Sequence, residues 1–325
     1  MMIDPLLRML GRIGAPGGSN ARLTVLLYHR VLKCADPLLP GEPDAVAFDA
    51  QMAALARLCN VLPLDEAVER VRCGALPARA VSITFDDGYR DNLEVAMPIL
   101  HRHGLGATFF IASGFLDGGR MMHDTVVETV RRLPTGQIDL HWIGLGQRRV
   151  DNLDSRLALI AEFVGQVKYL NFDQRRDACE RLGSLSPSDL PTDLMMTSAQ
   201  VRQAHHAGMH IGAHTHDHPI LAKSSVAEAR HQINRSREEL AGLLGTAPRL
   251  FAYPNGKPTL DYSREHVALV KEAGFDAAVS VAFGCTTRDS DHFQIPRFIP
   301  WDHNPKKFAV RVLTHPLRHR AAATA

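Results

Sequence analysis

The chain has 325 residues, 45% of them hydrophobic, and 37 basic side chains against 35 acidic ones leave a net charge of +2. That length and apolar content allow one large α/β domain or two smaller ones with real cores, and exclude a disordered or fibrous chain. Charges spread along the sequence give no electrostatic footprint for nucleic acid, although the stretch from Lys306 onward is locally basic. Five cysteines, odd in number and without Cys-x-x-Cys spacing, argue against a disulfide framework or a zinc ribbon and suit a reducing compartment. The opening MMIDPLLRMLGRIGAPGGSN places an acid, a proline and two arginines where a secretion signal needs an apolar core. A cytoplasmic location is therefore expected. Ile3, Leu6, Leu7 and Leu10 form one apolar face of a short helix, docked on the domain or lying on a membrane surface, and no run is long enough to span a bilayer.

Residues 1–21 read as an extension and 22–325 as a single domain, which begins with a buried strand from Arg22 to Tyr28 that delivers His29 at its carboxyl end. Helical periodicity follows from Phe48 to Cys59 and from Asp65 to Cys73, with Asp65 as the N-cap. Ala80–Phe85 is the next strand, Leu93–Gly104 a helix and Ala107–Ile111 another strand. This alternation is the mark of a parallel sheet wrapped by helices, an α/β fold. The rhythm breaks over about 115–194, read as a helical insertion with helices near Thr125–Leu133 and Ser155–Tyr169; His123 and Asp124 are candidate contacts within it. Regularity returns with a helix over Ser198–Gly208, a strand over Met209–Ala213 and a helix over Ser225–Leu244. A strand over Leu250–Tyr253, a helix over Ser263–Gly274 and a strand over Ala277–Val281 follow. Ile295–Ile299 is a last extended piece, and Lys306–Leu313 a closing helix within a basic tail of about 306–325.

The strand ending at Phe85 runs into Asp86-Asp87-Gly88. Two adjacent carboxylates at the mouth of an apolar strand repel each other, so they call for a cation, a proton or open solvent; a solvated turn is the plain alternative. His214 and His218 stand at another strand end, spaced so that both imidazoles can face one point. With one carboxylate they make a two-histidine, one-carboxylate set, which fills three positions on a divalent metal and leaves others open, as catalytic zinc requires. His216 projects elsewhere on this spacing.

Thr84-Phe85-Asp86-Asp87-Gly88 together with His214-Thr215-His216-Asp217-His218-Pro219 resembles the first two motifs of the family-four carbohydrate esterases, the NodB-homology polysaccharide deacetylases. Phe251-Ala252-Tyr253-Pro254-Asn255-Gly256 fits the same family, and the resemblance covers roughly 82–281. It implies a deformed (β/α) barrel of about seven parallel strands and metal-dependent removal of N-acetyl groups from an N-acetylated glycan. By that resemblance Asp86 is the general base, and Asp87, His214 and His218 hold a divalent metal, zinc first. Tyr253, Pro254, Asn255 and Gly256 form the substrate or oxyanion turn, with the donor at Asn255. Thr215 orients a ligand histidine or the local turn.

Two departures stand out. Ala252 occupies the position where many members carry the arginine that pairs with the catalytic aspartate, so another cation must hold Asp86; Arg297 is the first choice, ahead of Arg249 and Arg90. The late Leu-x-His strand that supplies the general acid is also missing, since Leu313-Thr314-His315 falls at a helix end. Tyr28-His29 resembles the early Tyr-His pair of the poly-N-acetylglucosamine deacetylase subgroup, which makes His29 the expected acid. Hydrolysis of another amide or an O-acetyl ester, and a silent carbohydrate-binding module, are the alternatives; a role in exopolysaccharide synthesis follows from the first reading.

Overall fold

Seven short parallel strands form the central sheet of the computed structural model, which describes residues 9, 11–302, 304–318 and 323–325. They are β1 (Thr24–Tyr28), β2 (Asn60–Val61), β3 (Ala80–Phe85), β4 (Thr108–Ile111), β7 (His210–Ala213), β8 (Leu250–Ala252) and β9 (Ala277–Val279), and β5 (Gly136–Leu140) pairs with β6 (Gly146–Val150) in a separate antiparallel hairpin. The order is β1-β3-β4-β7-β8-β9, with β2 beside the start of β3. Nearly every residue of the main strands is buried, the unalternating pattern of strands covered on both faces. The extended piece after β9 does not become a regular strand. It makes parallel bridges from Val279 to Ile295 and from Leu26 to Phe298, so it joins the two edges of the sheet and closes a deformed (β/α) barrel.

The helices are α1 (Ala45–Leu58), α2 (Leu64–Arg72), α3 (Met97–Arg102), α4 (Met122–Arg132), α5 (Leu153–Val167), α6 (Phe172–Gly183), α7 (Ser198–His206), α8 (Val226–Leu244), α9 (Arg264–Glu272) and α10 (Pro305–Thr314). Their starts follow from side-chain capping: Asp44 accepts from the Ala47 amide, and Thr197 with Gln200 and Ser225 with Glu228 form reciprocal caps. Asp65 is not a cap. Pro63 precedes α2, and Asp65 sits in its first turn with its carboxylate 3.1 Å from His210. The helix expected from Leu93 opens instead with a π turn, Asn92–Ala96, before α3. One apolar layer stacks Tyr28 on Phe85, with Phe48 and Phe109 edge-on at centroid distances of 5.2 Å to Tyr28 and 5.3 Å to Phe85.

The segment 115–194 is not wholly helical. It contains α4, α5 and α6, and also the β5–β6 hairpin, around a small core of its own that includes Val130, Leu140, Val150, Phe163 and Leu182. The apolar face formed by Ile3, Leu6, Leu7 and Leu10 lies outside the described residues.

Candidate active site

Four loops at the carboxyl ends of parallel strands supply the site, the end where such sheets place their chemistry. β1 delivers His29, β3 delivers Asp86 and Asp87, β7 leads into His214–His218, and β8 leads into Tyr253–Gly256. Asp87, Thr215, His218 and Asn255 all have positive φ (77°, 62°, 52° and 58°), a region non-glycine residues seldom occupy. These turns aim the chain abruptly out of each strand. The Thr215 hydroxyl donates to the His214 carbonyl, which ties down the turn between the two histidines.

Asp86 is almost fully buried and is gripped by Arg297, whose Nη1 and Nη2 each donate to one carboxylate oxygen at 2.6 Å. Arg297 is itself held by donation from Nε to the Ser280 carbonyl at 3.1 Å. Burial pushes the Asp86 carboxyl up, but the charge and hydrogen bonds of Arg297 outweigh it and leave its pKa below the ordinary carboxylate range. The segment that closes the barrel thus carries the cation that keeps Asp86 ionised. Arg249 and Arg90 are elsewhere: Arg249 meets Asp276 and Glu69 on the surface, and Arg90 meets Glu94 and Asp193.

Asp87 Oδ1 is buried and has no hydrogen-bond partner, an expensive state for a charged oxygen. His214 Nε2 and His218 Nε2 each lie 3.5 Å from that oxygen. The three ligand atoms fall within 4.8 Å of one another. Ligands of a four-coordinate zinc stand about 3.4 Å apart, so the residues present fit a divalent ion. The His214 tautomer suits the same purpose: Nδ1 donates to the Ala252 carbonyl at 2.7 Å, which turns the Nε2 lone pair toward the aspartates. Burial, only partly offset by Asp87, pushes His218 down to about 3, so its imidazole is neutral and free to ligate. His216 points away, into Glu239 at 2.7 Å.

His29 shares the cleft with Asp87, His218 and Asn255, a cavity of about 350 Å³. Its backbone is fixed by contacts that the sequence did not reveal. Asn92 Nδ2, projected from the π turn, donates to the His29 carbonyl at 2.8 Å, and the Arg30 amide donates to Glu42 at 3.2 Å. Arg30 then lies over the Tyr89 ring and pairs with Asp91 at 2.8 Å and Asp124 at 3.7 Å. His123 and Asp124, from the start of α4, also line the cleft. From α6, Arg175 Nη2 donates to the His218 carbonyl at 3.0 Å, so the insertion braces a candidate metal ligand.

In the turn after β8, Asn255 lines the cleft and Gly256 is required: its φ is 71°, and a Cβ there would lie 3.0 Å from the Tyr253 carbonyl oxygen. The Tyr253 side chain does not reach the site. It is buried, stacked on Tyr262 at 3.9 Å, and its hydroxyl donates to the Phe293 carbonyl. Pro254 contributes through its carbonyl, which accepts from the Gly256 amide and tightens the turn. His315 does not line this cleft, and its ring lies against the Gly284 carbonyl.

The profile of the polysaccharide deacetylase family matches residues 74–140 and 167–278, more than half of the chain, and includes the ends of β3, β7 and β8 but not that of β1. The chain belongs to the polysaccharide deacetylase family. Among proteins of that family, it is 30% identical over 93 residues to a Bacillus subtilis (strain 168) protein named as a polysaccharide deacetylase, YxkH; the match spans 28% of this chain and 32% of that protein's length. Solved structures with the same fold include the Streptococcus pyogenes deacetylase PplD in complex with acetate (TM-score 0.59, 17% identity, 88% of this chain and 96% of that one). IcaB from Ammonifex degensii aligns with a TM-score of 0.56 at 19% identity, over 92% of this chain and 98% of that one. A de-N-acetylase from Aggregatibacter actinomycetemcomitans gives 0.57 and 17%, over 88% and 99%. At these identities the likeness is one of fold. Family membership makes this deacetylase a hydrolytic enzyme, with a potential His/Asp metal site at Asp87, His214 and His218.

Proposed function

We propose that this deacetylase removes N-acetyl groups from N-acetylhexosamine units of a glycan, a polysaccharide or its precursor, with zinc as the resident metal. The observation that carries this reading is the orphaned, buried Asp87 oxygen facing two imidazole nitrogens at 3.5 Å, directly beside a second carboxylate that is held ionised. When bound by Asp87, His214 and His218, the ion supplies Lewis acidity for the acyl oxygen and for the attacking water. Asp86, ionised by Arg297, takes the proton from that water as its oxygen joins the acyl carbon. The Asn255 N–H, at the turn where Gly256 allows close approach, donates to the negative charge that develops on the acyl oxygen. His29, in the same cleft, gives a proton to the amide nitrogen as the carbon–nitrogen bond breaks, releasing acetate and an amino sugar.

The clamp of Asn92 and Glu42 on the backbone around His29 supports a fixed acid at that place. The assay is acetate release from N-acetylglucosamine oligomers by zinc-loaded protein. Asp86→Asn and His29→Ala are each expected to lower kcat by about 10²-fold or more, the range for loss of a general base or acid. Near-parental turnover in His29→Ala would remove it from the mechanism.

A further inference from the structure

We propose that the outer face of α10 and the groove beside it form a docking surface for an anionic phospholipid membrane. Three large hydrophobic side chains that stay open to solvent share one groove here: Phe283, Trp301 and Val310 line it and are 56%, 57% and 44% exposed. The groove is about 740 Å³. α10 turns Phe308, Ala309, Val312 and Leu313 into the core. Its opposite face presents Lys306, Lys307 and Val310, and the helical turn that follows adds exposed Leu317 and Arg318. The chain at Gly14 packs against Leu317, which sets exposed Ile13 and Arg12 next to the same strip.

The charges in this strip are nearly all of one sign. Lys306, Lys307, Arg311 and Arg318 border the groove, and among its described lining residues Asp302 is the one carboxylate, already 2.8 Å from Arg311. Lys306, Lys307 and Val310 on one helix face, with Trp301 from the preceding loop and Leu317 from the following turn, match the boundary between headgroups and acyl chains of a bilayer: the indole ring and Val310 enter the apolar edge while the ammonium groups meet lipid phosphates. Charge complementarity singles out acidic lipid. Arg297 and Phe298 form the floor of the groove, and Arg297 also holds Asp86, so the docking face and the catalytic cleft are neighbours. A glycan carried at a membrane would arrive beside the site.

The test is cosedimentation of the full chain with vesicles of phosphatidylcholine containing one quarter phosphatidylglycerol, against vesicles of phosphatidylcholine alone. Binding to the acidic vesicles is expected to be about tenfold tighter and to weaken in 0.5 M salt. Lys306→Glu with Lys307→Glu, and separately Trp301→Ser with Val310→Ser, should each reduce that binding by about tenfold. Acetate release from soluble oligomers serves as the control for folding, since none of the four residues touches the cleft. Equal binding by parent and both variants would overturn the proposal, as would equal binding to the two vesicle types. Retention of soluble polyphosphate or an acidic polysaccharide with no vesicle binding would overturn it in favour of a polymer groove.

Discussion

Asp86 and Asp87 are neighbours in sequence and opposites in circumstance. Asp86 has both oxygens satisfied by one guanidinium, whereas Asp87 has a buried oxygen with no partner except the approach of two imidazoles. That division suits the proposed roles, an ionised base for the first and a metal ligand for the second. Arg297→Ala leaves Asp86 buried without its counter-charge, so destabilisation on the order of 3–5 kcal/mol is expected in thermal or denaturant unfolding. The Asp86 pKa then rises, since burial is no longer outweighed, and the acid limb of the pH–rate profile moves to higher pH. An unmoved acid limb in a folded variant would show that Arg297 does not set the ionisation of Asp86. Asp124 behaves in the opposite sense: burial pushes it up to about 7, only partly offset by Arg30 at 3.7 Å, and the negative charges of Asp87 and Asp91 add to the rise. Between its unfolded value near 4 and about 7 the folded state keeps a proton that the unfolded chain has lost, so stability falls as pH rises through this window. Asp124→Asn removes the penalty. It should leave the melting midpoint nearly unchanged at pH 4 and raise stability at pH 8 by an amount on the order of 2 kcal/mol; the same difference at both pH values would contradict the shift.

Strand ends carry these residues, and small packing details decide where each end points. Gly212, two residues before His214, lies so close to Phe110 and the Leu250 carbonyl that a Cβ would sit 2.4 Å from the Phe110 ring. Gly212→Ala should therefore cost about 1–3 kcal/mol by overpacking and shift β7 with its histidines, seen as a lower melting midpoint and weaker metal affinity together. A stable variant with parental affinity would mean the ring moves aside freely. The main strands were legible in the sequence because they are short, continuously apolar and followed by glycine or polar turns. The β5–β6 hairpin was not: Gly136–Leu140 and Gly146–Val150 are five residues each with only Leu140 and Val150 buried, so the brief Gln-Ile-Asp-Leu alternation and the Gln-Arg-Arg run do not stand out from the helical stretches around them. The π turn at Asn92 was likewise hidden, since its register depends on a contact with His29 across 63 residues.

In the molecule as a whole, the curled parallel sheet brings four distant strand ends to one point, and the insertion closes the side of the cleft with α4 and α6. The proposed ligand set and Asp86 are legible in the amino-acid sequence because each is a strong residue pattern at a strand end. Arg297 could be inferred from the charge that Asp86 demands. The Arg30, Asp91 and Asn92 clamp and the reach of Arg175 to His218 could not, because ordinary surface-type residues become site residues only through tertiary contacts. Tyr253 shows the converse: its place beside Pro254 suggested the site, and its size sent it into the core. Central to the account is a hydrolytic site built on Asp87, His214 and His218, and its most direct test measures two quantities on one sample: zinc bound per chain by titration, and acetate released from N-acetylglucosamine oligomers, for the parent and His214→Ala. The parent chain is expected to bind about one zinc and to release acetate in a way that chelation abolishes and zinc restores, and His214→Ala to lose both properties. Acetate release that persists without metal, or in His214→Ala, would contradict this expectation.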